Sequence, residues 1–285
     1  MPYLRWQRRP QLRRPVLISA FAGWVDAGES ATTATKFLTD KLGAEPFCTI
    51  DPEEFYDFTV ARPRVRLDDE LNRHIEFPTP TFSTARLPGA ERDIVFLHAV
   101  EPALKWRTYC QEAVTVCQEV GVEMALTLGA LLADVPHTRP VRVNGTSTDP
   151  GLLRTYNLQR SRYQGPTGIS SVLHDAFGRV GIPAASLYAA TPAYLSQTPS
   201  PKAARALVSR VLEMLAGRVD LTTLDVATSA YERQVDEMLS VEEDVVDYVR
   251  RLEQQDDTAE KPLEIPPADH LAAEVERFLR DQPPS

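Results

Sequence analysis

Asp93-Ile-Val-Phe-Leu-His-Ala-Val100 and Val122-Glu-Met-Ala-Leu-Thr-Leu128 bracket a helical interval of residues 105–119, and together the three segments specify an architecture. Both apolar runs are continuous rather than alternating, the pattern of a strand covered on both faces. Glu101-Pro102 ends the first run, because proline cannot continue regular pairing. Strand, helix and strand in this order make a crossover unit with parallel strands and a right-handed connection. The chain is therefore expected to be α/β, with a largely parallel sheet.

Upstream, Pro15-Val-Leu-Ile-Ser-Ala-Phe-Ala22 is another doubly covered strand, and a helix is expected over 27–42, with Asp26 and Glu29 at capping-box spacing. Residues 46–50 read as a strand, and 53–88 as an irregular β excursion with short strands at 64–67 and 74–77. Downstream come a strand at 141–146, the cap Asp149-Pro150, and a helix carrying Ile169, Val172, Leu173, Phe177 and Val180. A strand at 184–190 and a helix capped by Ser200-Pro201, with Leu207, Val208, Val211, Leu212 and Leu215 as its stripe, complete the alternation. Residues 231–257 are acidic and helical in pattern, with Val235, Met238, Leu239, Val245, Val246, Val249 and Leu252 as an apolar face. The expected organisation is a basic arm (1–14), an α/β domain (15–224), an acidic helical appendage (225–257), and a linker with a terminal helix (258–285).

The 285 residues exceed an average domain of ~150 but suit one large α/β unit. With 43% hydrophobic and 25% charged residues, a sizeable core can be buried. A net charge of −9 excludes wholesale binding to nucleic acid or anionic membranes, which requires a concentrated basic face. The basic residues Arg5, Arg8, Arg9, Arg13 and Arg14 read as a solvated arm. No apolar run nears the ~20 residues of a membrane span, and the first ten residues lack the apolar centre of a signal peptide, so a cytoplasmic location is expected. Cys110 and Cys117 lie ~10 Å apart along one helix, too far for a disulfide, and read as buried thiols.

In open α/β sheets ligands gather at the carboxyl ends of parallel strands. The segments leaving those ends are Gly23-Trp-Val-Asp26, His98-Ala-Val-Glu-Pro102, Gly129-Ala-Leu-Leu132 with Pro136-His-Thr-Arg-Pro140, and Gly165-Pro-Thr-Gly168. They supply the candidate ligand or partner residues Gly23, Trp24, Glu101, Trp106, Gly129, His137, Arg139, Thr167 and Gly168. Asp26, at a helix start, suits a cap better than a base. Glu101 and His98 could exchange a proton, but no nucleophile accompanies them. Arg139 offers a planar donor fork for an anion or a partner's carboxylate, and Gly165–Gly168 precedes a helix N-terminus. The five histidines and three cysteines form no His-Glu-x-x-His or Cys-x-x-Cys, and nucleotide-loop and Gly-x-Ser-x-Gly patterns are absent. No metal, cofactor or catalytic set is expected.

Phe21-Ala-Gly-Trp-Val-Asp-Ala-Gly28, Glu101-Pro-Ala-Leu-Lys-Trp106, Gly129-Ala-Leu-Leu-Ala-Asp-Val-Pro-His-Thr-Arg-Pro140, Gly165-Pro-Thr-Gly-Ile169, Thr191-Pro-Ala-Tyr194 and Ser200-Pro-Lys-Ala-Ala204 occur in the order found in the proteasome assembly chaperone 2 family. The chain resembles that family over residues 16–224, closest to bacterial, actinobacterial-type members. The resemblance implies a three-layer α/β/α domain of phosphorylase- and hydrolase-like fold, with the acidic helices as an appendage. It also implies an interaction or assembly-chaperone role, proteasome subunits as partners, and a homo-oligomer, with a trimer the expected number. Ring-docking members end in a hydrophobic–tyrosine–any tripeptide; this sequence ends Asp281-Gln-Pro-Pro-Ser285, so docking by that route is not expected. The alternative implied by the fold is a hydrolase- or phosphorylase-type enzyme, or a binder of a nucleoside, phosphate or other anion, using the loops at the sheet's carboxyl edge.

Overall fold

Along Val16–Ala22 the side chains alternate between two separate cores: Val16, Ile18 and Ala20 belong to one, Leu17 and Phe21 to the other. That alternation places helices on both faces of the sheet. The structure, a computed structural model, describes residues 2–240 and 243–258. Its strands are β1 (Leu4–Trp6), β2 (Val16–Ala22), β3 (Glu45–Ile50), β4 (Arg64–Leu67), β5 (Arg73–Glu76), β6 (Thr81–Arg86), β7 (Asp93–Val100), β8 (Met124–Ala133), β9 (Val143–Ser147) and β10 (Ala184–Pro192). Its helices are α1 (Ser30–Leu42), α2 (Trp106–Glu119), α3 (Pro150–Thr155), α4 (Ile169–Arg179), α5 (Pro201–Leu215), α6 (Thr222–Leu239) and α7 (Glu243–Thr258).

One eight-stranded sheet runs β1-β3-β6-β7-β2-β8-β10-β9. Its centre, β7-β2-β8-β10, is parallel, as the apolar runs require. Antiparallel β6, β3 and β1 extend one side and β9 closes the other. Helices α1 and α5 cover one face, where Ala34, Leu38, Leu207 and Val211 meet Ile94, Phe96 and Leu126. Helices α2 and α4 cover the other, where Tyr109, Ala113, Leu173 and Phe177 meet Leu17, Phe21, Val95 and Leu97. The three-layer α/β/α domain is thus in place. Cys48, Cys110 and Cys117 are buried free thiols, and burial pushes Cys48 up to about 11 and Cys110 to about 12, so both stay protonated at neutral pH.

Two local expectations are corrected and one is extended. The basic arm is open to water but also ordered: β1 is an edge strand, and the exposed Arg5, Arg8, Arg9, Arg13 and Arg14 pair with Asp51, Glu45, Glu119, Asp93 and Glu123. The capping box of Asp26 and Glu29 does not form, because Glu29 takes a left-handed conformation (φ 50°) and the helix begins at Ser30. Asp26 still caps that helix from outside, accepting from the Ala31 amide at 2.7 Å and the Thr32 amide at 3.2 Å. Met238, expected on the appendage's apolar face, is 52% exposed, whereas Val235, Val249 and Leu252 are buried. The expected linker and terminal helix lie outside the described residues, apart from Thr258.

Phe96 is fully buried and fills the centre of the α1–α5 core. Phe96→Ala is expected to destabilise the fold by ~3–5 kcal/mol in urea unfolding, whereas Val226→Ala, at an exposed position on α6, should stay within ~0.5 kcal/mol. Equal effects would contradict this two-sided core.

Candidate functional site

At the carboxyl ends of β2 and β7 the chain turns sharply, and Glu101 becomes the centre of the junction. Its amide donates to the Ala22 carbonyl at 2.8 Å, which ties the two strand ends together. Its carboxylate Oε1 accepts from the Ile169 amide at 2.7 Å, so Glu101 supplies the negative charge at the N-terminus of α4. Gly23 and Gly168 make room for it. A Cβ on Gly23 would stand 3.1 Å from the Glu101 Cβ, and one on Gly168 would stand 2.9 Å from Oε1. Gly23 also has φ 143°, a region open to glycine. The ring of Trp24 lies 3.6 Å from the same Gly168 position, and Thr167 donates its hydroxyl to Ser171 at 2.6 Å across the first turn of α4.

Gly129, within β8, faces Tyr188 of β10. A Cβ there would overlap the tyrosine ring at 2.5 Å and stand 3.1 Å from the Val25 carbonyl. The glycine therefore lets Tyr188 lie flat on the sheet beside the β2 turn. Trp106, at the start of α2, donates its indole N–H to the Pro102 carbonyl at 2.5 Å and packs on the α2–α4 core. The structure gathers Gly23, Trp24, Glu101, Thr167 and Gly168 at one junction, with Gly129 close behind. His98 is exposed and makes no hydrogen bond to Glu101 among the described residues.

His137 and Arg139 have other partners. His137 is buried; the Tyr194 hydroxyl accepts from its amide at 2.8 Å and lies 2.7 Å from Nδ1, while Nε2 lies 2.9 Å from Asp236 on α6. Lys202 on α5 donates to the His137 carbonyl at 2.5 Å and pairs with Glu232 at 2.6 Å. Arg139 makes a bidentate pair with Asp257 of α7, both contacts at 2.8 Å, and lies 3.5 Å from Glu253. The Asp257 hydrogen bonds raise the arginine above its ordinary value and hold the carboxylate below its own. Arg142 pairs with Asp256, and Tyr248 donates to Asp134 at 3.3 Å. The carboxylates that the sequence led one to expect from a ligand or partner come from the chain's own appendage. Only ≈ 10 Å³ of space remains beside His137 and Arg139, the threshold for a single water.

Sequence reasoning missed a polar set on the α4 face of the sheet. Thr127 lies in register with Ser19 on one side and Ser186 on the other. Its hydroxyl lies 3.0 Å from Ser186 Oγ and 3.0 Å from His174 Nε2. Burial pulls the imidazole down to about 4, opposed by a hydrogen bond at Ala185. The readable signal is a small hydroxyl residue inside each of three largely apolar runs: Ser19, Thr127 and Ser186. Among the described residues no group of three or more His, Cys, Asp and Glu could hold a metal ion, and no helix is long and apolar enough to cross a membrane.

A sequence profile described as the PAC2 family matches residues 20–239. A PAC2 family protein from Streptomyces avermitilis is 43% identical, covering 82% of this chain and 99% of its own, with a TM-score of 0.77. A proteasome-assembly chaperone homologue from Mycobacterium tuberculosis is 41% identical over the same shares, with a TM-score of 0.74. The archaeal proteasome activator PbaB from Pyrococcus furiosus, 19% identical and covering 84% of this chain and 99% of its own at a TM-score of 0.68, shares the fold. A search of curated proteins returns no significant match.

Two outcomes follow from this geometry. Arg139→Ala should raise amide exchange in residues 243–258 and leave β2 and β8 protected; unchanged exchange would mean that the ion pairs do not hold α7. A neutral His174 adds stability that is complete above its ordinary value near 6.5 and is lost as pH falls toward 4, at most ~3 kcal/mol and less for a ring partly reached by water. The urea-measured stability gap between the parent and His174→Gln should therefore narrow from pH 7 to pH 4; a constant gap would refute this role.

Proposed function

Because the chain belongs to the PAC2 family, we propose that it is a non-catalytic, assembly-chaperone-like interaction protein that works in the cytoplasm as a homo-oligomer, a trimer by our reading, and takes proteasome subunits as partners. The 41% identity to a proteasome-assembly chaperone homologue supports the partner class. The observation that carries the reading is the β4–β5 hairpin, which forms its own two-stranded sheet apart from the main one. In its register Val65 lies opposite Ile75 and Leu67 opposite Arg73, so Val65, Leu67 and Ile75 share one face with Arg73 at its end, while Arg64, Arg66, His74 and Glu76 share the other. Val65 is 53% exposed, Leu67 56% and Ile75 59%, and Leu71 at the turn is 76% exposed. A lone two-stranded ribbon is marginal in water, and an exposed apolar face rimmed by charge is the surface that a protein partner covers.

No proton-transfer chemistry is needed for this role. Glu101 holds α4, His137 holds α6 and Arg139 holds α7, so these candidate groups act as structural ties. The test is affinity purification of the tagged chain from cells assembling proteasomes of its own source, with a native-gel time course of ring assembly. Co-purification of unassembled subunits and slower assembly without the chain are expected. Leu67→Asp with Ile75→Asp should cut recovery at least tenfold while light scattering reports whether the oligomer persists. Absence of proteasome subunits from the eluate, together with an unchanged time course, would overturn the proposal.

A further inference from the structure

Among the described residues, every carboxylate that pairs with Arg139 or Arg142 belongs to α7: Glu253 and Asp257 for the first, Asp256 for the second. Both arginines lie on the irregular segment that joins β8 to β9. Lys202, a third cation bordering the small space beside His137, already has Glu232 of α6. The family match spans residues 20–239, so it contains the whole basic segment and stops short of the helix that neutralises it. Without α7, the two guanidinium groups of this surface would stand without the anions they now hold.

What α7 presents to that surface has a pattern. Val245, Tyr248, Val249, Leu252 and Asp256 follow helical spacing along one side, apolar at the start and acidic at the end. Val249 and Leu252 are buried, and the Tyr248 ring meets the Tyr194 ring edge-on at 5.9 Å. Tyr248 donates to Asp134 at 3.3 Å, while Asp256 and Asp257 reach Arg142 and Arg139. The attachment is nonetheless peripheral. Val249 and Leu252 belong to none of the three apolar clusters, Asp257 is largely exposed, and ion pairs open to water contribute little individually. A helix held in this way opens more readily than α4 or α5, whose stripes lie in the core. Lifting it uncovers a tyrosine ring and two arginines, the residue types that carry most binding energy at protein interfaces, and the arginine forks fit carboxylates. We propose that the strip Pro136–Arg142 with Tyr194 is a docking surface for an acidic amphipathic helix of a partner protein, and that α7 closes it by occupying it in cis. The partner's helix carries the α7 pattern, an apolar stripe followed by carboxylates. Because the strip is open for only a fraction of the time, a helix in trans binds with an affinity reduced by that fraction, and release of α7 removes the reduction.

The test uses the full chain and fluorescence anisotropy with a labelled peptide carrying the sequence of residues 243–258. A control peptide carries Glu253→Gln, Asp256→Asn and Asp257→Asn. Val249→Asp with Leu252→Asp releases α7 without touching the strip; Asp256→Arg with Asp257→Arg releases it by charge, should the first pair fail to fold. Amide exchange in β2 and β8 reports that the body is intact. A released chain should bind the acidic peptide at least tenfold more tightly than the parent does, and the control peptide at least tenfold more weakly than the acidic one. Adding Arg139→Glu to the released chain should abolish the gain. Equal affinity of the parent and released chains, or equal affinity for the two peptides, would overturn the proposal. So would light scattering that shows the oligomer dissociating on release of α7, because the strip would then belong to the α7 of a second copy. The β4–β5 hairpin plays no part in this surface, so either result leaves the proteasome reading to its own test.

Discussion

Covering the four central strands on both faces is the constraint from which the rest follows. With α1 and α5 on one side of β7-β2-β8-β10 and α2 and α4 on the other, a charge inside these strands would have to be removed from water without a partner, at a cost far above that of a hydroxyl. Charged groups are therefore displaced to the strand ends, and the polar residues that remain inside are hydroxyls matched across the register. Ser19, Thr127 and Ser186 stand side by side on β2, β8 and β10, with Thr127 and Ser186 bonded to each other. Asp26, buried just past β2, keeps its carboxylate satisfied with two amides of α1 and the Thr32 hydroxyl.

The same constraint explains why the glycines at the carboxyl edge matter more than the ionisable groups beside them. Gly23 and Gly168 allow one carboxylate to sit between two backbones, and Gly129 allows an aromatic ring to lie on the sheet where any side chain would lift it. Glu101 thereby joins the ends of β2 and β7 to the start of α4, and Tyr188 forms part of the wall of a cavity beside α4.

Legibility in the sequence followed the range of the interactions. β2, β7, β8 and β10 were readable because doubly covered strands need unbroken apolar runs, and Asp149-Pro150 and Ser200-Pro201 were readable because caps act within three residues. The offset of α1 was not readable, since it depends on Glu29 adopting a left-handed conformation. Neither was the fate of the N-terminal arginines, whose carboxylate partners Asp51, Glu119, Asp93 and Glu123 come from distant segments. His137 and Arg139 were found as a motif, but their partners Asp236 and Asp257 lie 99 and 118 residues away, beyond any spacing rule. The hydroxyls of Ser19, Thr127 and Ser186 were visible individually, and only the strand order makes them a set.

The acidity of the last helices is best understood as complementarity to the surface they cover. Lys202 and Arg205 of α5 meet Glu232 and Asp225 of α6, while Arg139 and Arg142 meet Asp257 and Asp256 of α7. Pairs near the surface contribute little individually. Attachment must therefore come mainly from the buried side chains: Tyr231 and Val235 beside Leu195, and Val249 and Leu252 on α7. The charges then select among the positions an apolar stripe would otherwise tolerate, because a slip along either helix leaves an arginine without its carboxylate. A basic strip on the α/β body and an acidic pair of helices are thus two halves of one register, and the segment from His137 to Arg142 is where that register is fixed.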